Sequence, residues 1–319
     1  MPKCLHKRIG SVAIFLLLVY FNPAAAAYVL QGEHILELMS ENLGRAERFS
    51  ATQQVTFFNI AMAKEVTGEQ EAGREKNPGE LSDTFGGDTE RVAQQADPQP
   101  QNIELPETVK YIFDRAFRSD ILADGNRRIH VFANGEAITV IDNARRTAPE
   151  TRFDLYKDLL LYRSRQGLVN RLSQLNVDFS ISSLGRFEGS AAFVIGARYP
   201  DDSPSQIWVD KKTFRPIRWI ITDGLRDYGS NLEIRYLNWM QLDQIWYPMR
   251  VEFLEDEHLV RVIQVQKYAV NEKFARDLFD IQRIRSTYPI ASPGLSAADE
   301  SESMSDVKKT IEEFKKIFD

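Results

Sequence analysis

The sequence predicts a mainly β (α+β) protein built on one long antiparallel sheet that curls on itself. Two observations carry that prediction. From Val177 to Val270, seven segments of strand type follow one another on hairpin-length links, and neighbours joined so tightly must be antiparallel. Upstream, Asn134-Gly135 separates two more such segments, the pairing that a type I′ turn requires because both positions need positive φ. With the earlier strands the total is about eleven, too many for a flat open sheet.

In chain order, the first element is not part of the fold. Lys3, Lys7 and Arg8 precede the apolar run Val12–Phe21, Asn22-Pro23 breaks it, and Ala24–Ala27 supplies small residues for cleavage. Residues 1–27 therefore read as a secretory signal peptide, with an apolar run too short for the roughly 20 residues of a membrane span. The single cysteine, Cys4, lies on the amino-terminal side of that run, where a lipid-acceptor cysteine would not stand. A mature chain without cysteine excludes disulfides, thiolate catalysis and cysteine metal sites, and 43% hydrophobic residues supply core enough.

Gly32–Arg45 has helical spacing, with Ile35, Leu36, Met39 and Leu43 on one stripe. Phe49–Phe58 alternates apolar and polar residues as a half-buried strand does. Residues 64–104 then carry ten acids against four bases, with Gln, Gly and Pro and few large apolar side chains. Such a composition cannot offset the cost of ordering its backbone, so a disordered acidic insertion is expected there. Strand-type sequence resumes with Thr108–Ser119, Arg127–Ala133 and Glu136–Asp142, followed by helices over Phe153–Tyr162 and Gln166–Leu175. The first of these helices looks apolar nearly all round and so must be covered on several sides. The strands Val177–Ser183, Ser190–Tyr199, Gln206–Val209, Ile217–Thr222, Asn231–Trp239, Trp246–Leu254 and Leu259–Val270 complete a domain over 28–285. Residues 286–319 read as a flexible tail ending in a short amphipathic helix around Val307, Ile311, Phe314 and Phe318.

The formal charge of −6 becomes −9 without the three signal-peptide bases, and it sits in the insertion and the tail. The body is near neutral, so neither nucleic acid nor an anionic membrane surface is an expected partner. His34, His130 and His258 are far apart in sequence, no pair has metal-ligand spacing, and no Gly-rich phosphate loop follows a strand. Gly185–Gly189 reads as a hairpin turn and Asp223–Asp227 as a solvated turn without the ligand pattern of a calcium loop. No catalytic residue, metal or cofactor is expected.

What remains is apolar surface. Ala191/Phe193/Ile195, Ile217/Trp219/Ile221, Leu232/Ile234/Tyr236 and Tyr247/Met249/Val251/Phe253 each put apolar side chains on one face of a strand. Packed against the helices of 153–175, they make either a filled core or a hydrophobic pocket under a lid.

One phrase carries a family resemblance: Gln206-Ile207-Trp208-Val209-Asp210-Lys211-Lys212-Thr213-Phe214-Arg215-Pro216-Ile217-Arg218-Trp219, a strand, a charged turn and a strand opening after proline. With Tyr247-Pro248, Phe274–Asp280 and the order helix, strands, mid-chain helices, strands, it resembles the LolA-like bacterial lipoprotein carriers and sorting proteins over most of 29–280. The resemblance implies an open half-barrel with helices covering its concave face, and a monomeric periplasmic protein that sequesters acyl chains of lipoproteins or lipids for transfer to the outer membrane, without catalysis. A membrane-embedded loading or accepting protein would be its other partner. The lining would then be Phe57, Phe193, Ile195, Trp219, Ile221, Ile234, Tyr236, Met249, Val251 and Phe253, with Leu159, Leu160, Leu168 and Leu172 from the cover. The founding carriers hold their lid with an arginine on an early strand; here the first strand reads Ala51-Thr52-Gln53-Gln54-Val55, so no residue inherits that role. The acidic insertion and charged tail motivate the alternative of a periplasmic sensor or scaffold that uses the same fold to bind an envelope protein or polymer.

Overall fold

The computed structural model describes residues 29–58, 102–123, 125–222 and 231–290. The chain divides into two compact units, residues 1–30 and 31–319; only Val29 and Leu30 of the first are described, and every described helix and strand belongs to the second. The signal peptide, nearly all of the acidic insertion and the tail beyond Ile290 lie outside the described residues.

Among the described residues, thirteen strands form a single antiparallel sheet. They are β1 (Arg48–Phe57), β2 (Ile103–Ile112), β3 (Ala116–Ala123), β4 (Asn126–Ala133), β5 (Glu136–Ile141), β6 (Ala144–Arg145), β7 (Ser182–Phe187), β8 (Ser190–Ile195), β9 (Gln206–Asp210), β10 (Pro216–Ile221), β11 (Leu232–Leu242), β12 (Ile245–Glu255) and β13 (His258–Val270). In space the order is β6-β5-β4-β3-β2-β1-β13-β12-β11-β10-β9-β8-β7. The chain starts in the middle of the sheet, meanders to one edge at β6, re-enters at the far edge with β7 and meanders back until β13 pairs with β1. The edges β6 and β7 do not pair, so the sheet stays an open half-barrel.

This topology places the helices. A connection from one edge of the sheet to the other must cross a face, and the crossover holds a 3₁₀ turn (Arg152–Lys157), a single α-turn, α2 (Asp158–Leu161), and α3 (Arg165–Ser173). The N-terminal helix α1 (Gly32–Asn42) packs against α3 and β8, with Ile35, Leu36 and Met39 fully buried. On the opposite face, α4 (Ile281–Thr287) packs Ile281 and Ile284 onto Ile129, Val131, Ile138 and Val140 of β4 and β5. Arg118 of β3 donates to the Leu278 carbonyl at 2.7 Å, which ties down the chain just before α4.

The turns follow their chemistry. Asn134 and Gly135 have φ of 52° and 85°, as the type I′ hairpin demands. Gly44 (φ 75°) closes α1 against the start of β12, where a Cβ would stand 2.0 Å from the Gln244 carbonyl oxygen.

Several segments differ from the sequence expectation. Thr108–Ser119 is two strands, because Asp114 adopts φ 60° and turns the chain. β2 already begins at Ile103, inside the stretch read as insertion, since Ile103 and Leu105 pair with Phe57 and Val55. The strand expected from Val177 starts only at Ser182, because the Asp178 carboxylate binds the backbone N–H and hydroxyl of Ser180 (2.9 and 2.7 Å) and makes a turn first. Ser286 and Thr287 belong to α4, and Ile290 bridges Arg145, so the ordered body runs past the expected boundary. None of the described helices is long and apolar enough to cross a membrane.

Candidate functional site

The ladder register puts the ten predicted strand residues on one face, the face the crossover covers. Directly opposed residues in an antiparallel pair share a face. Phe57 opposes Arg261, Arg261 opposes Phe253, and the row continues through Ile234, Trp219 and Ile207 to Ile195. A second row links Val55, Ile263, Val251 and Tyr236. Phe193 follows Ile195 on the same face of β8, as Ile221 follows Trp219 on β10 and Met249 follows Val251 on β12. Ile221 and Met249 are half-buried; the other eight are buried. Leu159, Leu160, Leu168 and Leu172 of the cover are fully buried as well. Two surface clefts of about 500 and 320 Å³ lie elsewhere, and no predicted lining residue contributes to either.

The other half of this face is ionic, which the sequence reading did not foresee. Across β1 to β5 it carries Gln53, Glu107, Ser119, Arg128, His130 and Thr139, all buried. Glu107 accepts from Gln53 Nε2 (2.6 Å) and from the Ser119 hydroxyl. Arg128 Nη2 donates to both Asp154 oxygens at 2.7 Å. Asp154 also accepts from the backbone N–H of Thr151 (3.0 Å) and from its hydroxyl (2.9 Å), which caps the 3₁₀ turn. Lys157 donates to Glu150 and to the Asp154 carbonyl (3.1 Å) and lies 3.3 Å from Asp158. Arg171 of α3 closes the group, with Nε on Asp158 and Nη2 on Glu150, both at 2.7 Å.

These ions explain why the expected helix over Phe153–Tyr162 is broken. Asp154, Lys157 and Asp158 are buried, so the segment is not apolar all round: it turns its charges into the sheet. Burial pushes Asp154 up, but Arg128, His130 and Lys157 outweigh it and hold the carboxyl well below the usual range. Glu150 is likewise lowered, as Lys157 and Arg171 overcome its burial, whereas burial dominates at Asp158 and raises it. Thr139 donates its only hydroxyl proton to the Pro149 carbonyl (2.7 Å), so its oxygen accepts from His130 Nδ1 (2.9 Å) and the imidazole is the Nδ1–H tautomer. Burial, with Lys157 and Arg128 close by, lowers the His130 pKa to about 4. The cluster has acid, base and hydroxyl groups, yet each charge is committed to a partner beneath the cover. It is built to hold position.

The cover is tied to the sheet by its own backbone carbonyls. Arg261 Nη1 donates to the Phe153 carbonyl (3.2 Å) and Tyr236 Oη to that of Tyr156 (2.9 Å). The Arg261 guanidinium also lies over the rings of Phe253 (4.8 Å) and Phe57 (5.3 Å). Arginines of two strands thus meet the cover: Arg128 of β4 at the Asp154 side chain, and Arg261 of the last strand, beside β1, at a backbone carbonyl. Arg261 stands at an inward position of an otherwise apolar alternation, Ile263 and Val265 being its same-face neighbours, and that oddity was the available signal.

No family model matches the sequence. No curated protein matches it either. Solved structures do. A domain from Vibrio parahaemolyticus named for outer-membrane lipoprotein sorting is 11% identical, with a TM-score of 0.48 over 80% of this chain and 98% of that one. A LolA superfamily protein from Nitrosomonas europaea is 11% identical, with a TM-score of 0.47 over 80% of this chain and all of the other. A DUF1329 family protein from Desulfovibrio piger is 10% identical, with a TM-score of 0.46 over 79% and 97%. All three likenesses are of fold alone.

Proposed function

We propose that the protein is an exported periplasmic carrier that takes an acyl chain of a lipid or lipoprotein between the apolar half of its sheet and the helices above it. The observation that supports this most is the uninterrupted apolar row Phe253, Ile234, Trp219, Ile207, Ile195, crossing five strands on the face the crossover covers, whose Leu159, Leu160, Leu168 and Leu172 are themselves fully buried. Such contacts are non-directional, so a hydrocarbon chain can replace the leucines with little loss. Each CH₂ removed from water contributes about 0.8 kcal/mol, enough to lift part of the cover. The part to lift is α1, which meets α3 through a solvent-exposed Arg165–Glu33 pair (2.7 Å) of a kind that contributes about 0–1 kcal/mol, whereas α3 is held by Arg171 to Asp158 and Glu150. No covalent step or cofactor enters. Phe193→Asp and Val251→Asp, checked for folding by circular dichroism, should each weaken binding of a fluorescent fatty acid at least tenfold, because a carboxylate in the chamber must be desolvated. Binding as tight as that of the unaltered protein would refute the lining.

A further inference from the structure

Arg163 joins α2 to α3 and is 2% exposed, yet among the described residues no carboxylate pairs with its guanidinium. Its Nη1 donates to the Leu43 carbonyl at 3.2 Å, and its flat face lies on the Phe113 ring at 4.5 Å. Nε and Nη2, the two donors that run parallel along one edge of the guanidinium, have no acceptor. The adjacent acid, Asp114, spends its carboxylate on the Arg163 backbone N–H (2.8 Å) and the Ser164 hydroxyl (3.0 Å). Burial lowers the Arg163 pKa to about 10, so the side chain is still a cation at neutral pH.

The same chain shows what this edge is for. Arg118 sends Nη1 to the Leu278 carbonyl and offers Nε and Nη2 to the two oxygens of Asp120, each at 2.7 Å. Arg163 repeats the carbonyl half of that arrangement and omits the carboxylate. An unmet buried donor is costly, more so when charged, so such an edge is retained at a cost that an incoming acceptor would remove. Its place fits an acceptor carried on a chain. Leu43 and Phe113 lie at the end of the sheet where β12 starts. The phenols of Tyr111 and Tyr247, bonded to each other at 3.2 Å, lie near the guanidinium. From Tyr247 the inward positions of β12 run through Met249 and Val251 to Phe253, into the apolar half.

We propose that the Nε/Nη2 edge of Arg163 receives the carboxylate of a single-chain amphiphile, a free fatty acid, whose tail lies along the inner face of β12 under the cover. The inference rests on the carrier reading and gives it a headgroup. A planar fork matches a carboxylate through two parallel bonds, which a phosphate monoester shares in charge but less well in shape.

The test uses the full mature chain with cis-parinaric acid and its methyl ester, which share one hydrocarbon chain. The acid should bind about tenfold or more tightly than the ester, and Arg163→Met should bring the acid down to the level of the ester. Equal affinities in the unaltered protein overturn the headgroup assignment while leaving the apolar chamber standing; that comparison needs no variant to fold. A variant that weakens acid and ester alike also overturns it, since Arg163 then only holds the cover. Displacement of the probe by laurate ahead of dodecyl phosphate assigns the carboxylate, and the reverse order removes it. If neither acid nor ester binds, the chamber itself falls and this inference with it.

Discussion

Between β1 and β5 the inner face buries Glu107, Arg128 and His130; between β8 and β12 it buries Phe193, Trp219 and Phe253. One crossover covers both halves, but it meets them with different forces. Over the first, Arg128 of β4 holds both oxygens of Asp154, while Lys157, Asp158, Glu150 and Arg171 bond one another within the cover. Over the second, Leu168 and Leu172 of the cover are fully buried, and apolar contacts are of a kind that any hydrocarbon can re-form. Buried ion pairs are weak contributors to net stability, because desolvation consumes most of their attraction. What the ionic half supplies is position: on the carrier reading proposed above, it would anchor one end of the cover while the other parts from the sheet.

Breaking the anchor should give the largest effect. Asp154→Ala leaves Arg128 buried without its carboxylate and should cost about 3–5 kcal/mol in urea unfolding. Replacing both partners, Arg128→Met with Asp154→Leu, should restore most of that stability, since no orphaned charge remains. If Asp154→Ala costs less than about 1 kcal/mol, the two halves hold the cover equally loosely and the distinction between them is lost.

Acid sharpens the same contrast. His130 is faced by Thr139, Glu150, Asp154, Lys157 and Arg128, and its pKa falls from the ordinary 6.5 to about 4. Between those values the unfolded chain binds a proton that the folded one does not, so stability must fall as pH drops through this window. The full loss is about 3 kcal/mol, and the lowered Asp154 and Glu150 extend it into the carboxylate range below. Unfolding free energies measured at pH 7, 5.5 and 4 should trace this slope, and His130→Gln should flatten its upper part. A stability independent of pH over that interval would mean that His130 is not sealed beneath the cover.

The sheet was legible in the sequence because two-residue alternation and hairpin-length links are local signals. The strands from Gln206 to Val270 are placed within a few residues, and the Asn134-Gly135 turn has the geometry its residues predict. The apolar half was legible for the same reason, since period-2 stripes on Phe193/Ile195 and Val251/Phe253 mark one face. The ionic half was not. Glu107, Arg128 and Asp154 are far apart in sequence, and a charge on a strand normally marks the solvated side. Only the tertiary pairing turns Arg128 inward, and only then does the Phe153–Tyr162 segment have a reason to give up a regular helix for a 3₁₀ turn that aims Asp154 and Lys157 at the sheet. The thirteen strands exceed the expected number because β6 is a two-residue edge and because Asp114 splits one stretch in two, neither of which periodicity can show.

The smallest effect is the most local. Tyr236 belongs to the apolar half, yet its hydroxyl reaches the Tyr156 carbonyl at 2.9 Å, between Asp154 and Lys157 of the crossover. Tyr236→Phe removes one buried hydrogen bond and nothing else, at a cost of about 1 kcal/mol. If the cover is anchored at one end only, that cost falls on local opening, and amide exchange should quicken about fivefold in α2 and α3 while β4 and β5 keep their protection. Acyl release, followed with the same fluorescent fatty acid, should quicken by a similar factor. Faster exchange spread evenly over β4 and β5 would show that the cover and the ionic half open as a single unit, and the anchored-end description would have to give way to a lid that leaves the sheet whole.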